Sequence, residues 1–383
     1  MRQFTTTKWL GLSATGILSA ALLFTSCKKD PKIPADDDSY EVPATYSFLR
    51  SDSSSVNLEE QSDLINQLVE LNTKMKTGDA GQALSTQVLK DMYANTDGNG
   101  AGNFSFTSEH QLKENTFFLD QSIFESLYDK AALASDSGAV GALASSGKAG
   151  LIKRSNNATI LVDENGVEFT QLNQKGLMGA VILYQLYNSY LADELDDAVD
   201  NSAIISGKNY TLLEHHADEA FGYFGAPADF KSNYTGTGTL RYWASYSNEL
   251  DASLGSNDKI MNAFKKMRAA ITNKDNKTKN EQRDILYLEL EKLTAACVIH
   301  YANEVLIETN QGNRLHELSE MLGFIKALQY NIPSKRKVTL IEVEDLIKNK
   351  LGENLWNVTN QGLNDIKDFL AARYGFESIK ATL

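Results

Sequence analysis

The sequence predicts a mostly α-helical protein, built as packed helical bundles with one small β-hairpin. Three observations carry that fold class. Apolar residues recur at spacings of three and four beyond Val56, one segment near Asn165-Gly166 alternates instead, and no repeat of fixed period appears.

Leu64, Leu68, Leu71 and Met75 follow the four-three-four spacing of one helix face, ended by Gly78. Leu84, Val88 and Met92 mark a second, shorter helix, and the Gly-, Asn- and Ser-rich residues 96–106 read as a loop. Phe117 to Ala132 gives a third helix, and the Ala/Gly/Ser-rich residues 135–149 are either flexible or closely packed. Thr159–Val162 and Val167–Thr170 flank Asn165-Gly166, a pair that accepts the positive φ of a tight turn, which predicts the hairpin. Leu177 to Leu191 is apolar on nearly every side, so that helix belongs at the centre of the core. Its tyrosines and Gln185 make it a poor membrane span. Long helices fill the second half: Lys259 to Ile271, Asn280 to about Glu308, and Arg314 to Gln329, stopped by Pro333. Thr339 to Lys350 follows, opening on the capping-box spacing of Thr339 and Glu342, and Gln361 to Tyr374 is the last.

The start of the chain has a different design. Arg2 and Lys8 give a positive start, Leu10 to Phe24 is an apolar run broken only by Gly, Ser and Thr, and Phe24-Thr25-Ser26 leads into Cys27. That order makes residues 1–26 a secretory signal. The run is too short for a comfortable membrane span, which needs about 20 residues. Small residues before a Cys point to cleavage by a lipoprotein peptidase, leaving Cys27 to carry diacylglycerol, with Phe24 in place of the usual Leu. Residues 27–45 then form the acylated Cys and a flexible tether, with Pro31, Pro34 and Asp36 to Asp38, and residues 46–383 form the helical domain.

The chain has only two cysteines. With Cys27 acylated, Cys297 has no partner within the chain, so the core alone must hold the fold. The formal charge of −13 becomes more negative once Arg2 and Lys8 leave with the signal. An acidic surface argues against nucleic-acid binding, which needs basic patches, and is compatible with cation binding.

Five histidines occur, and three have a Glu three or four places downstream on a predicted helix: His216 with Glu219, His300 with Glu304, and His316 with Glu320. Such spacing puts imidazole and carboxylate on one helical face, where both can grip one cation. Thr211 and Glu214 form a capping box ahead of an apolar face of Leu213, Ala217, Ala220 and Phe224. His216 falls inside that arc and Glu219 at its edge, while His215 and Asp218 point elsewhere. The stripe Leu286, Leu290, Leu293, Cys297 continues onto His300 and Glu304, which predicts buried polar groups in need of partners. His316 and Glu320 lie opposite the aliphatic face of Leu318, Met321, Leu322, Ile325 and Leu328, in line with Gly323 and Ala327, whose small size admits a second helix. Each pair alone is as well explained by packing or surface polarity, but three together suggest a metal site between facing helices. His and carboxylate ligands suit zinc or iron, whereas calcium prefers oxygen only. HExxH, GxSxG, CxxC, CxxCH and phosphate-binding glycine motifs are absent. Arg241 to Trp243 and Arg268 could bind an anion, but as single positions they read as packing and surface charge.

His216 to Glu219, followed by Ala220 to Gly225, resembles the HxxE region of imelysin-like proteins, and His316 to Leu328 resembles that superfamily's C-terminal segment. More specifically, Asp218 to Gly225 and Ala263 to Ile271 look like DUF4856, a family of Bacteroidota lipoproteins, over roughly residues 43–380. The resemblance implies paired imelysin-like bundles, an envelope location and a role around uptake of a metal, often iron. It carries over His216, Glu219, His316 and Glu320, while His300 and Glu304 rest on the stripe alone. Imelysins have Gly two residues before the His, where this chain has Glu214, which weakens a peptidase reading.

The expected function is therefore a cell-envelope lipoprotein, outer-membrane anchored and facing periplasm or cell surface, that binds a metal ion or metal-bearing ligand in nutrient acquisition. One rival is a metallopeptidase with Glu219 or Glu320 as general base. The other is a non-catalytic interaction protein, an accessory to an outer-membrane transporter, in which the His/Glu pairs are structural hydrogen bonds.

Overall fold

The computed structural model describes residues 40–136, 143–192 and 195–383. The signal segment, Cys27, tether residues 28–39 and part of the Ala/Gly/Ser-rich stretch lie outside the described residues. Four small strands and a series of helices follow in order: β1 (Leu49–Arg50), β2 (Ser53–Ser54), α1 (Glu59–Asp79), α2 (Thr86–Tyr93), α3 (Leu112–Asn115), α4 (Gln121–Ser135), β3 (Gly150–Lys153) and β4 (Thr159–Val162). Then come α5 (Phe169–Leu177), α6 (Leu212–Phe224), α7 (Trp243–Leu254), α8 (Ser256–Thr272), α9 (Asn276–Ile307), α10 (Gln311–Ala327), α11 (Leu340–Asp345) and α12 (Asn360–Tyr374). The fold is mostly helical, with two antiparallel two-stranded sheets.

α9 is the organising helix. At about 1.5 Å per residue, its 32 residues reach roughly 48 Å, and α7, α8, α10 and α12 pack along it. Asp275 caps its start by accepting from the Thr278 amide, and Leu286, Leu290, Leu293 and Cys297 are fully buried, as the stripe predicts. A second group, α1, α2, α4, α5 and α6, joins the first through contacts of α5 with α10 and of α6 with α8. Cys297 is buried with a free thiol.

The segment after Gly176 is central, as its all-round hydrophobicity requires: Leu177, Met178 and Ala180 to Leu183 are all buried. Met178–Leu183 and Leu186–Tyr190 wind as π-helix, a wider turn that leaves backbone carbonyls available to other donors. Two such carbonyls are used. Trp243 Nε1 donates to Met178 at 3.1 Å, and the Tyr287 hydroxyl to Tyr187 at 2.9 Å. Gly179 lets α10 come close, since a Cβ there would lie 3.0 Å from that of Ala327.

Three local expectations need correction. The hairpin pairs Gly150–Lys153 with Thr159–Val162, and Val167–Thr170 is not its second strand. Asn165-Gly166 does turn the chain, with Gly166 at φ +83°, but the return makes a single bridge, Val162 to Glu168, before α5 begins. Second, an unexpected small ladder, β1 with β2, precedes α1, and an unexpected helix, α7, starts at Trp243, directly after Arg241 and Tyr242. Third, the packed unit starts at Tyr40, inside the expected tether of residues 27–45. The Tyr40 hydroxyl bonds Asp275 at 2.9 Å, Lys265 donates to the Ala44 carbonyl at 3.0 Å, and Tyr46 stacks on Phe221 at 3.8 Å.

The N-terminal segment is fixed by a buried guanidinium. Arg268 on α8 has no solvent exposure; its Nε lies 2.9 Å from Asp218 and its Nη1 3.0 Å from Glu214, both on α6. Its Nη2 reaches the Ser55 hydroxyl at 3.2 Å, and the Phe48 ring covers it at 4.9 Å. Arg50 adds a second cation on Glu214 at 2.9 Å, and the Tyr46 hydroxyl donates to Asp218 at 2.9 Å. Asp218 is thus fully buried, although the helical wheel turned it away from the core. Burial pushes the Asp218 carboxyl up to about 7 even with Arg268 beside it. Deleting Arg268 leaves buried Asp218 without a cation and Glu214 with Arg50 alone, so Arg268→Met should lower unfolding stability by roughly 3–5 kcal/mol. Urea denaturation checks this, and a loss below about 1 kcal/mol contradicts it.

Candidate functional site

α6 is held at both ends. Thr211 Oγ1 accepts from the Glu214 amide at 3.3 Å while Glu214 accepts from the Thr211 amide at 2.9 Å, the predicted capping box. Gly225 closes the helix at φ +80°, where a Cβ would lie 2.7 Å from the Arg241 carbonyl. Between them, Gly222 faces α1: a Cβ there would sit 2.9 Å from Gln61 Cβ. Glycine therefore lets α1 lie close, which carries Glu60 and Gln61 onto Glu219.

Glu219 is buried and its carboxyl is hydrogen-bonded to that of Glu60. Burial first, and the Glu60 charge second, push Glu219 up to about 8, so it holds a proton at neutral pH. Gln61 Nε2 donates to Glu219 at 3.4 Å, and Tyr190 bonds it from the π-helical segment. His215 Nε2 lies 3.7 Å from Glu219, and His110 Nδ1 lies 3.6 Å from Glu60. His215 stacks on Tyr210 at 4.6 Å. Burial, then the neighbouring His216, lower its pKa to about 4, so the ring is neutral at pH 7. Among the described residues Gln61 Oε1 and His215 Nδ1 have no hydrogen-bond partner. Once Glu219 gives up its proton, its carboxylate, that of Glu60, the neutral His215 imidazole and the Gln61 amide oxygen are all Lewis bases.

His216 is buried, as its place on the apolar arc predicts, but the imidazole that faces Glu219 belongs to His215. The wheel misplaced His215 because α6 is buried on almost every side, so no polar face exists to sort the two. The Tyr210 ring then draws His215 toward Glu219 across one helical turn.

His316 and Glu320 stand in a second cluster. Their face of α10 is covered because Gly323 admits α5, where a Cβ would lie 2.4 Å from that of Lys175. His316 Nδ1 bonds Glu168 at 2.7 Å, and its Nε2 lies 3.9 Å from Glu320. Lys175 pairs with Glu320 at 3.1 Å, and the Tyr301 hydroxyl bonds it too. Burial raises Glu320, but Lys175 and His316 outweigh it and hold the carboxyl below its ordinary value. Glu168 and His316 line an open cleft of about 430 Å³ with Asp79, which burial and the Glu168 charge push up to about 7. Every ionised group in this cluster except Asp79 already has a counter-charge.

His300 and Glu304 leave the core. His300 is half-buried, 3.6 Å from Glu249 of α7, and Glu304 is exposed. The stripe runs out of aliphatic neighbours there and opens into a cleft of about 620 Å³ between α7 and the C-terminal residues. Burial of this pair, expected from the stripe, does not occur. The three pairs thus keep three separate sets of partners. Among the described residues no three His, Cys, Asp or Glu side chains gather as a group that could hold a metal ion. Glu60, Gln61, His110, Glu168 and Lys175 escaped sequence reasoning because tertiary packing, not helical spacing, brings them in.

A helical-bundle protein with two buried His-carboxylate clusters is the class that fold and site define. The model of one family, Domain of unknown function (DUF4856), matches residues 43–377, and the chain belongs to that family. No curated protein and no solved structure matches the chain.

Glu219 makes the fold sensitive to base. Its folded pKa of about 8 stands above its ordinary 4.5, so its contribution is complete below about pH 4.5 and is lost as pH rises through 8. Glu219→Gln, neutral at every pH, should lose less melting temperature than wild type between pH 6.5 and 9. Parallel pH profiles for the two proteins would refute the buried proton.

Proposed function

We propose that this chain is a cell-envelope lipoprotein that binds a metal ion, iron or zinc, or a metal-bearing ligand, in nutrient acquisition. Glu219, Glu60 and His215 are the groups that would have to draw together around the ion, with His110 and Gln61 beside them, since among the described residues no three ligating side chains are gathered beforehand. One observation carries this reading: the buried, protonated Glu219 carboxyl is hydrogen-bonded to Glu60 and lies 3.7 Å from Nε2 of a neutral His215 imidazole whose Nδ1 has no hydrogen-bond partner among the described residues. Strongly shifted groups around a like-charge pair are characteristic of functional sites. A bound cation supplies the charge that lets Glu219 ionise beside Glu60, and mixed imidazole and carboxylate donors suit zinc or iron. The likeness to imelysins supports the same direction. A peptidase reading fits less well, because Glu219 is protonated at neutral pH and Glu320 is already paired with Lys175.

Zinc or ferrous iron added to metal-free protein should raise its stability, by about 2.7 kcal/mol at a hundredfold excess over the dissociation constant. His215→Ala should remove most of that gain while the apo fold stands. Affinity should weaken as pH falls below about 8, because the proton held at Glu219 competes with the ion. Thermal melting with and without metal reads all three. If no metal shifts the melting curve, the cluster is a structural network and the chain is an interaction protein serving an outer-membrane transporter.

The membrane half of the proposal rests on the signal-like first 26 residues ahead of Cys27. Among the described residues no helix is long and apolar enough to cross a membrane. Cys27→Ser should abolish labelling by radioactive palmitate and move the protein from the membrane fraction to the soluble one. Unchanged labelling and retention would remove the lipid anchor from the account.

A further inference from the structure

A cleft of about 480 Å³ that shares no lining residue with either His-carboxylate cluster lies between α4, α5, the end of α10 and α11. Its size falls within the range of small-molecule sites, about 300–1,000 Å³. Phe124, Leu127, Phe169, Leu172, Val343 and Ile347 make its walls apolar. Ile123, at the cleft, is 50% exposed.

Lys326 lines the cleft, with Asp120 nearby. The Lys326 ammonium, half-buried on α10, makes no hydrogen bond and no ion pair among the described residues. Its nearest carboxyl influence is Asp120, whose oxygen already accepts the Tyr330 hydroxyl. The other charged lining groups are committed or outside. Asp163 accepts the amides of Asn165 and Val167 at 2.9 and 2.8 Å, and Lys130 is solvent-exposed. Burial lowers the pKa of Lys326, with Asp120 partly opposing. A partly desolvated ammonium at the head of an apolar cleft lacks an acceptor, and a ligand carrying an anionic head and an apolar tail provides one while covering the walls.

We propose that this cleft binds a single-chain amphiphile of the fatty-acid class, its carboxylate on Lys326 and its chain along Leu172, Val343 and Ile347. A twelve-carbon fatty acid bearing a diazirine in its chain, photolysed in membranes that contain the full-length chain, tests it. Mass spectrometry should place the adduct on α4, α5 or α11, and excess laurate should suppress it. The matching diazirine alcohol should label at least tenfold less. Lys326→Gln should cut acid labelling about tenfold, Lys326→Arg should largely restore it, and Ile347→Trp, which fills the cleft, should abolish it. Equal labelling by acid and alcohol, adducts confined to other surfaces, or undiminished labelling of Lys326→Gln would each overturn the proposal. Should Lys326→Gln fail to accumulate, the acid-to-alcohol ratio in the unaltered protein still decides.

Discussion

The ion network around Arg268 is the constraint from which the site geometry follows. A guanidinium without solvent contact needs acceptors on every side, and it finds Asp218 and Glu214 on α6 and Ser55 ahead of α1. Those contacts lock three separate stretches of sequence into one register. Glu214 serves twice, capping the start of α6 with one oxygen and meeting Arg268 with the other. Burial works against its ionisation, but Arg268 and the Thr211 amide outweigh burial and keep it charged. A buried pair of this kind is weak evidence of net stability, since a well-packed apolar replacement can do as well. What it secures is the geometry: the chain from Tyr46 to Ser55 crosses α6 at one place, and α1 must start from there.

That starting point fixes the carboxyl pair. α1 descends along α6 with Gly222 at the contact, so Glu60 and Gln61 arrive beside Glu219. The two His-carboxylate clusters then differ in electrostatic character. At His316 and Glu320 the charges alternate, His316 and Lys175 against Glu168 and Glu320, and the carboxyl of Glu320 stays ionised. At Glu219 like charges meet in a buried place, and a proton resolves the conflict. The Glu219 cluster leaves His215 Nδ1 and Gln61 Oε1 without hydrogen-bond partners among the described residues.

Much of the fold was legible because its helices carry a clear apolar period. The Leu286 to Cys297 stripe, both capping boxes and the central place of Leu177 to Leu191 all appear where spacing puts them. The close approach over Gly323 and Ala327 was legible too, since only small residues allow it. The site was legible in part. Glu219 was visible from its spacing to a histidine, yet Gln61 stands 158 residues from it, and no local pattern links such a pair. Period also fails where a helix is buried all round, as with His215 against His216, and where a stripe passes beyond its core, as at His300. The hairpin was misread because Asn165-Gly166 makes a real turn whose returning arm becomes a helix after one bridge.

The central claim is that the Glu60 and Glu219 carboxyls await a cation. Anomalous diffraction from crystals soaked in a zinc salt, recorded on both sides of the zinc absorption edge, tests it most directly. The account predicts a strong peak about 2.0–2.2 Å from carboxylate oxygens of Glu219 and Glu60, with His215 turned onto it. A map with no peak there, or with zinc only at His316, His300 or the outer surface, would contradict it.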